Sequence, residues 1–465
     1  MHKVNLAPET SEALYASHHM CEGAPRTHLP AAGMDARTAQ RLILDELTLN
    51  GNPLLNTASF VTPWMEPEAD ELMLKTSSIN FIDFHEYPII QAIQQRVINM
   101  MADMLHAPGS CSARESRHTA VGTSTVGSSE AIMLALLAHK WTWRKQRQAR
   151  GLDSHRPNVI FGADVHSCWE KFALYFDVEA RIIPLQPGQY TIGPEQVEPL
   201  IDENTIAVGV VIGTTFTGQS DDFAGINSLL LRIKAERGLD ILMHVDAASG
   251  GFIMAFAHPE VAWDFRLEQV RSINVSNHKY GLVYPGMGSV IFRDASCIPS
   301  ELVFNINYLG GEMLNYSLNF SRPASQVVLQ YFNFIRLGRD GYTKIIANIM
   351  CNARYLAQCL LDLGRFEMLT DTATLPVVVI RLRDDHVYTV YQICEILHEQ
   401  GWSVPAYSLP NASESIDVMR ILVKENFSRD MAEMFALHVQ NALARLDEDQ
   451  PKRRKNPIKN ERPLC

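Results

Sequence analysis

Two side chains in this sequence are of types and in places that chemistry needs. Lys279 lies in Asn274-Val275-Ser276-Asn277-His278-Lys279-Tyr280-Gly281, and Asp246 lies earlier, in His244-Val245-Asp246-Ala247-Ala248-Ser249-Gly250-Gly251. A lysine amine condenses with an aldehyde. A carboxylate keeps an aromatic ring nitrogen protonated. Placed where strands end, this pair is what pyridoxal phosphate needs to draw electrons from a bound amino acid.

A third stretch suits the phosphate. Gly122-Thr123-Ser124-Thr125-Val126-Gly127-Ser128-Ser129-Glu130 runs into an apolar helical pattern over 131–141. Small residues let backbone amides approach an anion, and a helix N-terminus adds positive potential. Ser128 and Ser129 can donate as well; the bland alternative is an ordinary N-cap, with Glu130 in the first turn. His278, beside the lysine, can reach the same anion. His166, in Asp164-Val165-His166-Ser167-Cys168-Trp169, starts a helix after a strand and suits a ring stacked on the cofactor; a structural histidine is the rival reading. Thr215, past the strand 206–213, can donate to cofactor or substrate, or simply serve the turn before Gly218. His244 with Asp246, and His85 with Glu86, lack metal-ligand spacing, so no metal is expected. Ser249-Gly250-Gly251 lacks the frame of a nucleophile elbow.

These residues need a scaffold that gathers strand ends. Strand-like runs at 158–161, 180–184, 206–213, 241–245, 272–275 and 289–292 alternate with helical patterns such as 165–176 and 224–237. Alternation predicts a largely parallel α/β sheet buried on both faces, with ligands beyond the carboxyl ends of its strands. A helix over 324–337 closes at Gly338. Helix 345–363, strand 377–382, helix 389–399, strand 417–423 and helix 429–446 then predict a small α+β domain. The expected organisation is an arm and helix over 1–54, a large cofactor domain over 55–343, a small domain over 344–448 and a basic disordered tail over 449–465.

Composition narrows the class. The chain has 465 residues with 52 acidic and 41 basic side chains, a formal charge of −11. That balance argues against a general nucleic-acid binder. The apolar runs are strand-length, so no membrane insertion is expected, and the early residues lack a signal core. Eight scattered cysteines without a CxxC pair read as reduced cytoplasmic thiols.

Together the strings resemble the pyridoxal-phosphate decarboxylases of fold type I, and within them the glutamate decarboxylases. Besides those quoted, Trp263-Asp264-Phe265-Arg266-Leu267, Tyr308-Leu309-Gly310-Gly311, Phe320-Ser321-Arg322-Pro323-Ala324 and Arg336-Leu337-Gly338-Arg339-Asp340-Gly341 carry the likeness over roughly residues 40–445. The resemblance implies a mostly parallel seven-stranded sheet with a small C-terminal domain. It implies Lys279 as the cofactor lysine and Asp246 as the ring-nitrogen partner. It makes Ser128, Ser129, Ser276 and His278 phosphate ligands, with Ser321 reaching over from a second subunit. His166 takes the stacking position, where bacterial glutamate enzymes often carry Gln. Ser59 and Phe60 would hold the substrate side-chain carboxylate, Asp83 would come from the neighbouring subunit, and Arg420 would anchor the α-carboxyl region.

The implied activity is α-decarboxylation of L-glutamate to 4-aminobutanoate by a homodimer or an assembly of dimers. Lys279 or a loop residue would return the proton to Cα. The alternatives are another acidic amino acid, aspartate or cysteine sulfinate, or a non-catalytic subunit of the same fold. The end of this sequence lacks the terminal histidine of the acid-resistance enzymes, and its basic stretch lacks the tryptophan of plant calmodulin-binding tails, so calmodulin is not an expected partner. Any pH gating is expected instead from His18, His19 and His28 or from loops at the site.

Overall fold

A computed structural model describes residues 23–108, 120–306, 313–372, 374–383, 388–410 and 412–453. The chain divides into two units, Met1–Pro53 and Leu54–Cys465. In the first, helix α1 (Ala36–Leu47) starts where the Asp35 carboxylate accepts from the Arg37 and Thr38 amides, satisfying donors that have no partner within the helix.

The second unit opens with α2 (Pro67–Thr76) and α3 (Pro88–Met104), each with proline in its first turn, where a missing N–H costs nothing. The run β1 (Val121–Thr125), α4 (Ser128–Ala149), β2 (Asn158–Gly162), α5 (Cys168–Tyr175), β3 (Glu179–Ile183), α6 (Pro194–Val197), β4 (Thr205–Val211), α7 (Phe223–Arg237), β5 (Leu242–Asp246), α8 (Gly251–Ala257), β6 (Val270–Val275) and β7 (Gly288–Phe292) follows. Next come β8 (Phe304–Ile306), β9 (Met313–Asn315) and α9 (Ser325–Asp362). The described chain closes with β10 (Phe366–Met368), β11 (Val377–Leu382), α10 (Val390–Glu399), β12 (Ala406–Ser408), β13 (Asp417–Leu422) and α11 (Arg429–Arg453).

The large sheet has the order β1-β7-β6-β5-β4-β2-β3. Strands β3, β2, β4, β5 and β6 are parallel; β7 runs antiparallel to both β6 and β1. Every residue of β2, β4 and β7 is buried, as expected of strands covered on both faces. From β2 the chain passes outward to β3, then returns to the other side of β2 as β4. The crevice beyond β2 and β4 is therefore a topological switch point, where open α/β sheets bind ligands. A second sheet, β10-β11-β13-β12, is antiparallel throughout.

Several expectations change. Strand β1 lies inside the stretch read only as a phosphate loop, and α2, α3 and the short strands β8, β9, β10 and β12 are additional. Three-residue strands carry too little periodicity to be legible. Gly338 does not end its helix: it has φ 59° and ψ −172° inside α9, which resumes and continues to Asp362. Helix α5 begins at Cys168, leaving His166 in the loop before it. Asp246 is the last residue of β5 rather than beyond it. Helix α11 extends to Arg453, past residue 446 and into the segment expected as tail. The Tyr308–Gly311 string, His18, His19 and residues 454–465 lie outside the described residues. Among the described residues, no helix is long and apolar enough to cross a membrane.

Candidate active site

Lys279 sits in the turn after β6. That turn is held from several directions: Thr62 Oγ1 donates to the Lys279 carbonyl at 2.7 Å, the Asn277 amide donates to Gln330 at 2.9 Å, and Tyr342 donates to the Gly281 carbonyl at 2.9 Å. Leu282, at φ 63°, is in the left-handed region, a strain that persists only where surroundings over-determine it. Asn333 supplies that constraint by donating to the Leu282 carbonyl at 2.6 Å. The Lys279 amine donates to Ser249 Oγ at 3.0 Å and lies 4.9 Å from the centre of the Phe60 ring. Burial brings its pKa down to about 8, against the opposing pull of Asp246. A fraction of neutral, nucleophilic amine is therefore present near neutral pH.

Asp246 ends β5 with its side chain fixed by three donors. Oδ1 accepts from Asn274 Nδ2 at 2.9 Å and from the Ala248 amide at 3.1 Å; Oδ2 accepts from Trp169 Nε1 at 3.0 Å. A carboxylate offers about four acceptor positions. The one remaining is on Oδ2, which suits a protonated ring nitrogen.

The stretch expected to cradle a phosphate forms the N-terminus of the 22-residue α4. Ser128 Oγ and Ser276 Oγ are 2.7 Å apart, joining the helix start to the end of β6. A Cβ on Gly288 would come within 2.6 Å of the Gly127 carbonyl carbon, so only glycine lets β7 pass this close. His278 Nδ1 accepts from the Met287 amide at 3.3 Å, and burial, then Lys279, lowers its pKa to about 4. The neutral ring must therefore carry its proton on Nε2 as a free donor. Glu130, an acid in the first turn that also lines the cavity, is engaged by backbone amides. Its carboxylate accepts from the Val126 amide at 2.9 Å and from the Leu318 and Asn319 amides at 3.1 and 3.2 Å. Hydroxyls, helix amides and a neutral imidazole form a fitting donor set for a phosphate dianion.

Lys279, Asp246, Ser128, Ser276 and His278 line one cavity of about 310 Å³, together with Ser129, His166 and Thr215. His166 Nδ1 accepts from the Cys168 amide at 3.3 Å, and burial lowers its pKa. Cys168 also lines the cavity, but burial raises its thiol to about 12, so it is no nucleophile at neutral pH.

Phe60 and Arg420 stand at the amine end, outside the cavity lining. The Arg420 guanidinium donates to the carbonyls of Ala58, at 2.8 Å, and Thr215, and lies 5.4 Å from the Phe60 ring. Its Nε is buried without a partner. Ser59 Oγ accepts from the Val61 amide at 3.2 Å and does not line the cavity. Asp83 and Ser321 are also away from the cavity of their own chain. They are joined through Asn80, whose side chain donates to Ser321 Oγ at 3.4 Å and whose carbonyl accepts from the Asp83 amide at 3.3 Å.

Several contributors had no role in the sequence reading: Ser249 as partner of the lysine, Trp169 and Asn274 as partners of Asp246, and Asp164. Asp164 lines the cavity and is fully buried, with the Thr214 hydroxyl beside its carboxyl group. Burial raises its pKa to about 7. Behind it, burial and then Asp164 itself raise Asp221 as well. All four stand in the strings already singled out, but nothing local marks their roles.

With this geometry in place, comparison with known proteins is decisive about family. The pyridoxal-dependent decarboxylase conserved domain matches residues 32–383. Glutamate decarboxylase of Solanum lycopersicum is 44% identical over 444 residues, covering 96% of this chain and 88% of that one. Glutamate decarboxylase 1 of Arabidopsis thaliana is 43% identical with the same coverage. The Lactobacillus brevis glutamate decarboxylase structure superposes with a TM-score of 0.89 at 41% identity, over 94% of this chain and 98% of that one. The Oryza sativa TDC structure with PLP and tryptamine, at 18% identity and a TM-score of 0.73 over 92% and 90% of the two chains, shares the fold. A lysine–aspartate pair at strand ends, an anion cradle at a helix start and these likenesses converge: the chain belongs to the pyridoxal-dependent decarboxylase family.

Proposed function

We propose that this chain is a carboxy-lyase that removes the α-carboxylate of L-glutamate as carbon dioxide and leaves 4-aminobutanoate, consuming one proton per turnover. The observation that carries the reading is the extent of the likeness to glutamate decarboxylases, which spans nearly the whole chain rather than the cofactor strings alone. Pyridoxal phosphate, when bound, supplies the conjugated sink for the electron pair left behind by carbon dioxide. Ser128, Ser129, Ser276 and the Nε2 donor of His278 would hold its phosphate. Asp246 would hold a proton at the ring nitrogen through Oδ2, and His166 and Thr215 would line the space for the ring. Lys279 Nζ, with its pKa near 8, is the proton carrier at the amine end. Arg420 offers a buried donor to a substrate carboxylate, beside Phe60 and Ser59. Positioning of the bond to be broken decides between loss of carboxylate and loss of a proton.

The site is completed in a homodimer or an assembly of dimers, with Asp83 and Ser321 supplied to the neighbouring subunit; their separation from their own cavity supports this. Mixed dimers of Lys279→Ala and Ser321→Ala chains should regain part of the activity that each homodimer lacks, and full activity in a sedimenting monomer would exclude the arrangement. A cytoplasmic, reducing location suits the five free cysteines among the described residues. The activity itself is tested with a panel of glutamate, aspartate, cysteine sulfinate and aromatic amino acids, with products identified across pH. The proposal expects 4-aminobutanoate to dominate; a faster reaction with a shorter acid or an aromatic substrate would overturn it.

A further inference from the structure

Behind Asp246 lies a line of buried polar groups that the reaction as derived does not use. Asn274 Nδ2 is 2.9 Å from Asp246 Oδ1, and Asn274 Oδ1 is 2.8 Å from His244 Nε2. His244 Nδ1 is 2.7 Å from Ser272 Oγ, and Ser272 Oγ is 2.7 Å from His139 Nε2. His139, His244, Ser272 and Asn274 are all fully buried.

The direction of every hydrogen in this line follows from its end. An ionised carboxylate only accepts, so Asn274 must turn its NH2 toward Asp246 and its oxygen toward His244. His244 Nε2 then carries the proton, and its Nδ1 is bare and accepts from the Ser272 hydroxyl. The Ser272 oxygen is left to accept from His139 Nε2–H. His139 Nδ1 must then be bare, and it is the atom of this line that is buried with no partner. Burial holds both imidazoles neutral, His244 near pKa 4 and His139 well below its ordinary value, so each ring carries one proton.

The fold explains why His139 arrives there. It follows Ser128 by eleven residues, about three turns or ~16 Å of helix, so the two share one face of α4. Ser276 and Ser272 are four residues, ~13 Å, apart along β6 and its end. The same helix face thus meets the same strand twice, at the phosphate cradle and at the far end of the line.

We infer that His139, Ser272, His244 and Asn274 are positioning residues that hold Asp246 as an anion with Oδ1 permanently engaged, leaving Oδ2 for the cofactor ring nitrogen. The inference rests on the role proposed for Asp246. It assigns His139 and Ser272, which touch neither cofactor nor substrate, a part in keeping the ring nitrogen protonated.

The test uses the holoenzyme. With ring-15N histidine, His139 and His244 should both appear as neutral Nε2–H rings; a cationic ring or an Nδ1–H ring at either position overturns the assignment, whatever the variants do. With ring-15N pyridoxal phosphate, Ser272→Ala and His139→Phe should each move the ring-nitrogen resonance toward the unprotonated value. They should lower kcat by about tenfold and about threefold, with KM nearly unchanged. His139→Gln, which keeps a donor, should restore both readouts. Asp246→Asn is the reference. If it fails to move the resonance, the role of Asp246 itself is wrong; if it moves the resonance while Ser272→Ala and His139→Phe do not, the line is structural only.

Discussion

The two ends of the site are built differently. At the cofactor end, side chains come from one stretch of the large sheet and already have partners: three donors on Asp246, paired hydroxyls at Ser128 and Ser276, a neutral His278. At the end proposed to meet the substrate, Phe60 and Arg420 come from distant parts of the chain, and the Arg420 guanidinium is held by the Ala58 and Thr215 carbonyls. The first end is organised before anything binds. The second is assembled only on folding, from a guanidinium held by carbonyls of two separate segments. Chemistry should therefore be lost by damage at the first end, and selectivity and affinity by damage at the second.

The largest effect should come from breaking the cofactor end outright. Lys279→Ala should abolish the visible absorbance of the bound cofactor and lower turnover by at least ~10³-fold, measured spectroscopically and by carbon dioxide release. Arg420→Lys sharpens the contrast. A point charge cannot reproduce the guanidinium fork that spans the Ala58 and Thr215 carbonyls, so kcat/KM for glutamate should fall by about 10²-fold while cofactor absorbance is retained. Equal loss of absorbance in both variants would erase the distinction between the two ends.

Asp164 tests the cofactor end through pH. Its folded pKa, about 7, is raised by burial, so the folded chain binds more protons than the unfolded chain between roughly pH 4 and 7. The associated stability is present at low pH and is lost as pH rises through 7. Asp164→Asn should remove that dependence and raise the cofactor-free Tm at pH 8 by roughly a few degrees, with little change at pH 4.5. Ionised Asp164 also places a negative charge in the cavity wall, so the variant should retain cofactor better above pH 7 in dialysis. The smallest effect is expected for His166→Gln. Glutamine can accept the Cys168 amide bond that His166 Nδ1 now accepts, and kcat/KM should stay within about tenfold, or ~1.4 kcal/mol.

Much of the cofactor end was legible because its parts are short and local. A lysine four residues beyond a strand, an aspartate at the end of another, and a Gly-Ser-Ser helix start each announce themselves within a few residues. The alternating pattern placed the buried strands β2, β4, β5 and β6 within a residue or two. Elements of three residues, and β1 with its Gly-Thr-Ser-Thr composition, lacked a period. Gly338 read as a helix stop because glycine admits positive φ, but only packing on both sides decides that the helix resumes.

The sequence by itself determined the family and the parallel sheet, and it brought forward the lysine and carboxylate proposed here to serve the cofactor, because those depend on residue type and near spacing. Tertiary structure alone decided that Arg420 reaches Ala58 and Thr215, that the Glu130 carboxylate is engaged by the Leu318 and Asn319 amides, and that His139 lies in line with Asp246. It also decided which groups are charged. Lys279, His278 and Asp164 are displaced chiefly by desolvation, and the water excluded from a side chain depends on everything folded around it, which no local spacing records.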